Sequence, residues 1–154
     1  MLYRHNARIY NKKLRIETIT CDIYDFIRTN SRSKNIDLVI LSPPWGGIDY
    51  ASDIFDMRRH ISSGDGIELA QLVTSNICEN IVYLLPKNLL YAQIYELQMA
   101  LGSACLVESI HLFGKLKMIV LYLGPMFRSK RERQLCHGDP LPKRQNIIDC
   151  DFVP

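Results

Sequence analysis

This chain predicts an α/β fold: a mostly parallel sheet with helical crossovers, ending in an antiparallel hairpin. Three observations predict it. Apolar runs of strand length alternate with stretches of helical period. Two of those runs, Ile36–Leu41 and Ile81–Leu85, are nearly unbroken in apolar residues, as parallel strands covered on both faces are. The last two strand patterns, Cys105–Phe113 and Lys117–Tyr122, are parted by little more than Gly114, which reads as a hairpin.

Each element has its own signal. Tyr3, Asn6, Ala7 and Tyr10 share one helical face, and the pattern stops at Asn11-Lys12-Lys13, as at a helix end. Arg15–Ile19 alternates as a short strand, and Asp25-Phe26-Ile27-Arg28 reads as a helical turn. Asp65 to Val73 is a helix with acidic residues in its first turn, where they complement the helix dipole. Pro86 stops the strand at 81–85, and helical periodicity then runs from Leu89 to Ala100, ending before Gly102. After Gly124 the composition turns to prolines and basic residues with little period. The expected organisation is a domain at 1–124 and a basic, poorly ordered tail at 125–154.

A chain of 154 residues, 47% hydrophobic and 23% charged, is the size of one domain with a real core. No run approaches the roughly 18 apolar residues that span a bilayer, and the start lacks a signal-peptide core, so the expectation is an intracellular protein without a membrane partner. Five cysteines, odd in number and without a C-x-x-C pair, indicate neither a disulfide framework nor a zinc site, and no metal is expected. The net charge is +3, with the basic excess at the two ends, a weak signal for nucleic acid.

In such sheets ligands bind beyond the carboxyl ends of the parallel strands. Three polar exits lie there: Cys21-Asp22, Ser42–Tyr50 and Pro86-Lys87-Asn88. The middle one is the most informative. In Ser42-Pro43-Pro44-Trp45-Gly46-Gly47, two prolines fix φ and remove two N–H donors, which leaves carbonyls as acceptors, and the glycines leave room beside the indole. Read by itself, the loop is either an amine-holding site or a strand-terminating turn whose tryptophan caps the core.

Ser-Pro-Pro-aromatic at a strand exit resembles the motif of class I, S-adenosylmethionine-dependent methyltransferases that act on exocyclic amines of nucleobases. The longer string, Ser42–Tyr50, then Phe55-Asp56-Met57-Arg58, Asp65-Gly66 and Asn80–Asn88, resembles the trimethylguanosine synthase family. The likeness runs from about Arg4 to Gly124. It implies a Rossmann-like class I fold with strand order 3-2-1-4-5-7-6. It also implies an enzyme that methylates the N2 amine of 7-methylguanosine RNA caps, with S-adenosylmethionine as cofactor, capped small nuclear and nucleolar RNA as partner, and the nucleus as location, the cytoplasm being a second one. On that resemblance Trp45 stacks on the methylated guanine, and Ser42 and Pro43 flank the target amine, with Ser42 also near the donor methyl. Lys87 stands where the family has a phosphate-gripping arginine; with Asn88 and Asn6 it completes the substrate set. Asp22 matches the acceptor of the cofactor's adenine amine, although such an aspartate is by itself a natural helix N-cap. Asp49 and Tyr50 support the loop, and Lys117 reads as an ordinary edge-strand charge.

The family's glycine-rich loop and the acidic residue after its second strand should precede this sequence and are not in it. The expectation is therefore a partial sheet, and a catalytically incomplete cap-binding remnant or a fragment stands as the alternative, beside a methyltransferase for another nucleobase amine.

Overall fold

The structure, a computed structural model, describes residues 17–30, 36–46 and 54–128. The expected helix at 3–10, with Asn6, lies outside them, as do Asp49, Tyr50 and most of the expected tail. The described chain forms α1 (Ile23–Thr29), β1 (Val39–Leu41), α2 (Gly66–Asn76), β2 (Ile81–Pro86), α3 (Ala92–Leu101), β3 (Cys105–Leu112) and β4 (Lys115–Leu123), then a 3-10 turn at Pro125–Phe127.

The four strands make one mixed sheet in the order β1-β2-β4-β3. β1 pairs parallel with β2, Val39 opposite Ile81 and Leu41 opposite Tyr83. β2 pairs antiparallel with β4, and β4 with β3. This arrangement is the 4-5-7-6 half of the order that the family resemblance implies.

Period-two alternation decides what the sheet buries. Ile81, Tyr83 and Leu85 are fully buried beside Leu123, Leu121 and Ile119 of β4. Ile67, Leu69, Ala70 and Val73 of α2 and Ile94 and Leu97 of α3 complete that core. Gly66 is required where α2 meets the sheet: a Cβ there would lie 2.3 Å from Ile61 Cδ1 and 2.7 Å from Tyr83 Oη.

Both helices flanking the site region begin on aspartate caps. Asp65 Oδ1 accepts from the N–H groups of Ile67 and Glu68, and Asp22 Oδ1 from those of Tyr24 and Asp25. α3 ends on Gly102 in the left-handed region, φ 58°, whose N–H bonds back to the helix.

Four expectations change. Of the expected strand Arg15–Ile19 only Glu17–Ile19 lies within the described residues, and it is not a strand there, because a strand exists by pairing and no described strand lies beside it. β1 is not covered on both faces: Leu41 is 6% exposed but Ile40 64%, because β1 is the sheet edge among the described residues. α3 starts at Ala92 rather than Leu89, because the Phe55 carbonyl takes the Leu90 N–H and the Asn88 carbonyl takes that of Phe55, forming a parallel bridge before the helix. Phe113 is a turn residue rather than the end of β3. With φ 52° at Phe113 and 73° at Gly114, the hairpin closes through a two-residue turn with both φ values positive, whose twist matches the strands.

Candidate active site

β1 and β2 run parallel in register, so their carboxyl ends open on the same edge and the loops after Leu41 and Pro86 are neighbours. Trp45 ties them together. Its Nε1–H donates to the Leu84 carbonyl at 3.3 Å, and the half-buried ring packs against the core. The indole is thus fixed to β2 along its nitrogen edge. Ser42 is exposed and Pro43 partly buried. The Pro44 carbonyl, expected to be a spare acceptor, instead accepts from the Ser62 N–H at 3.2 Å. Gly46, φ 85°, lies so close to the His60 carbonyl that a Cβ would come within 3.3 Å of it.

The loop is therefore braced from one side by the segment 55–62, whose placement sequence reading missed. Phe55 is 1% exposed and bridges to Leu89 beside Asn88, whose side-chain oxygen is buried. The Asp56 N–H donates to His60 Nδ1 at 2.9 Å. The organiser of the segment is Gln93 of α3, 2% exposed. Its Oε1 accepts from the Met57 N–H at 2.7 Å and its Nε2 donates to Asp56 Oδ1 at 2.5 Å. The signal for it in the sequence is an amide standing beside Ile94 and one turn before Leu97, on the face that α3 buries.

Burial pushes the Asp56 carboxyl up, but hydrogen bonds from Gln93 and the Arg58 backbone, with the charges of Arg59 and His60, outweigh it and hold the group below its ordinary range. Arg58 reaches across to Asp65 at 2.7 Å and Glu96 at 3.2 Å, linking the segment to α2 and α3. These pairs are partly exposed and orient more than they stabilise.

Lys87 is exposed on the turn directly after β2. Asp22 is exposed at the start of α1 and caps it, so the capping role is real. It reaches the Pro-Pro-Trp loop indirectly: Tyr24 lies against Gly64, two residues from Ser62. Burial, then the carboxylates of Glu68, Asp65 and Asp22, push the Tyr24 phenol up. Trp45, Ser42, Pro43, Lys87 and Asn88 thus share one edge, Asp22 flanks it through Tyr24, and Asn6 lies outside the described residues.

A mixed α/β sheet closed by an antiparallel hairpin, with a Ser-Pro-Pro-Trp exit from a parallel strand, is consistent with a partial methyltransferase fold. The family is narrower than that. A family model described as RNA cap guanine-N2 methyltransferase matches residues 1–126, and this protein belongs to that family.

Proposed function

We propose that the protein transfers methyl from S-adenosylmethionine to the exocyclic N2 amine of 7-methylguanosine caps on small nuclear and nucleolar RNA, acting in the nucleus. The observation that carries this reading is the braced Ser42–Gly46 loop, with its indole pinned to Leu84 at the strand exit. A 7-methylguanine ring is cationic, so an immobilised indole gains stacking and a cation–π attraction, about 1–3 kcal/mol, which ordinary guanine does not fully return.

The N2 amine is a poor nucleophile because its lone pair is delocalised into the ring. Acceptors that hold its N–H bonds turn that lone pair toward a methyl donor. The family resemblance assigns that work to Ser42 and Pro43; the Pro44 carbonyl already accepts from the Ser62 N–H. Lys87 faces the cap phosphates as a point charge, without the fork of an arginine. Asn88 and Asn6 complete the contacts to the cap.

S-adenosylmethionine, when bound, supplies an electrophilic methyl on a sulfonium centre. The residues present fit it at the adenine end: both cap hydrogen bonds of Asp22 fall on Oδ1, and Oδ2 of the exposed carboxylate is available to an adenine amine.

The test is calorimetric titration with 7-methylguanosine diphosphate. Trp45→Ala should weaken binding about tenfold or more. Equal affinity of the two proteins removes the cap assignment, and a preference for unmethylated guanosine or adenosine moves it to another base amine. Titration with S-adenosylmethionine separates an enzyme, which binds it, from a cap reader that does not.

A further inference from the structure

We propose that the tip of the β3–β4 hairpin binds the RNA chain that follows the cap, Phe113 stacking on a nucleobase and Lys115 and Lys117 lying on adjacent phosphates. The register places it. Pro86 pairs with Met118, so β4 residues before Met118 extend past the carboxyl end of β2, beside Lys87 and on the same edge as the Ser42–Gly46 loop. Phe113 is 94% exposed, the most exposed large hydrophobic side chain among the described residues. It also holds φ 52°, a left-handed conformation that glycine or asparagine takes far more readily than a bulky aromatic. A side chain this exposed, in a backbone position unsuited to it, contributes little to the fold.

Its surroundings fit a polyanion. Residues 110–118 include His111, Lys115 and Lys117 and no acid. Glu108, the nearest carboxylate on β3, accepts from the Tyr122 hydroxyl. An exposed ring flanked by lysines is the chemistry of sequence-tolerant single-strand binding, since every base offers a face to stack and every nucleotide a phosphate. A capped end seated on Trp45 would lead its following nucleotides along this edge; that half of the inference rests on the cap reading, whereas affinity for the chain itself does not.

The experiment compares three ligands: a capped ten-nucleotide RNA labelled at its 3′ end, the same RNA uncapped, and 7-methylguanosine diphosphate. Phe113→Asn creates an Asn-Gly turn, which suits the hairpin, so its melting temperature should not fall. It should weaken both RNAs about tenfold and leave the cap nucleotide unchanged. Lys115→Gln with Lys117→Gln should flatten the slope of log affinity against log salt by about 1.4 for the RNAs. Trp45→Ala should affect only the two capped ligands; if it does nothing while Phe113→Asn still weakens uncapped RNA, the cap reading falls and the hairpin site stands. Wild-type affinity and salt slope for uncapped RNA in the hairpin variants overturn the proposal and leave the tip to a protein partner. A parallel loss of all three ligands overturns it as well.

Discussion

Gln93 is the residue on which the site's geometry turns. Its amide satisfies the buried Met57 N–H and adds one hydrogen bond to the Asp56 carboxylate, which the Arg58 N–H also serves, so Gln93→Leu roughly keeps the volume and orphans the Met57 N–H. The expected cost is about 1–3 kcal/mol of stability. A second consequence follows from Trp45 being the single tryptophan of the chain. Release of the 55–62 brace should shift its fluorescence to longer wavelength and open it to acrylamide quenching. A lower melting temperature with unchanged emission would show that Gln93 supports the core but not the loop. Asp56 gives a pH prediction. Its carboxyl is held below the ordinary value, so the native state favours the ionised form, and the stabilisation is present above about pH 4 and lost as pH falls through the native pKa. Melting curves of wild type and Asp56→Asn should therefore differ most near neutrality and converge in acid.

Elements are held by two kinds of contact, and each has a test. Leu97 is fully buried where α3 meets the core, so Leu97→Ala should cost about 2–5 kcal/mol in urea unfolding. Gly124 ends β4 at φ 104°, and a Cβ there would lie 2.2 Å from the Glu79 carbonyl and 2.8 Å from Asn80 Cα. Both obstacles are backbone, so Gly124→Ala should destabilise by at least as much as ordinary overpacking, about 1–3 kcal/mol. Gly102→Ala meets no neighbour within 4 Å and loses only the left-handed preference, about 1 kcal/mol, whereas Gly124→Ala adds steric crowding to an unfavourable backbone conformation, so it should cost more.

At the scale of the molecule, one face of the sheet carries α2 and α3, while β1 forms its edge among the described residues. The chain continues past β4 without leaving the sheet at once: the Met126 N–H donates to Asn80 Oδ1 at 2.9 Å and the Phe127 ring lies 5.2 Å from that of Tyr122. The family match ends at residue 126, inside that 3-10 turn. A protein ending at Arg128 should accordingly keep its melting temperature and its affinity for 7-methylguanosine diphosphate, whereas loss of either would assign work to residues 129–154. Among the described residues no helix is long and apolar enough to cross a membrane.

Local chemistry was legible in the residues themselves. Unbroken apolar runs marked β1 and β2, Asp65 and Gly102 bounded α2 and α3, Gly114 marked the hairpin, and the Ser42–Tyr50 string identified the family, because periods, caps and motifs are written in neighbouring residues. Tertiary contact decided the rest. The Phe55 bridge displaced the start of α3, absence of a described partner left Glu17–Ile19 without a ladder, and Ser62 claimed the Pro44 carbonyl that the two prolines had left open. Gln93 and the overhang of Phe113 depend on pairings across 36 and 32 residues respectively, Met57 with Gln93 and Pro86 with Met118. Such contacts form only when the chain folds back on itself, and no local period records them.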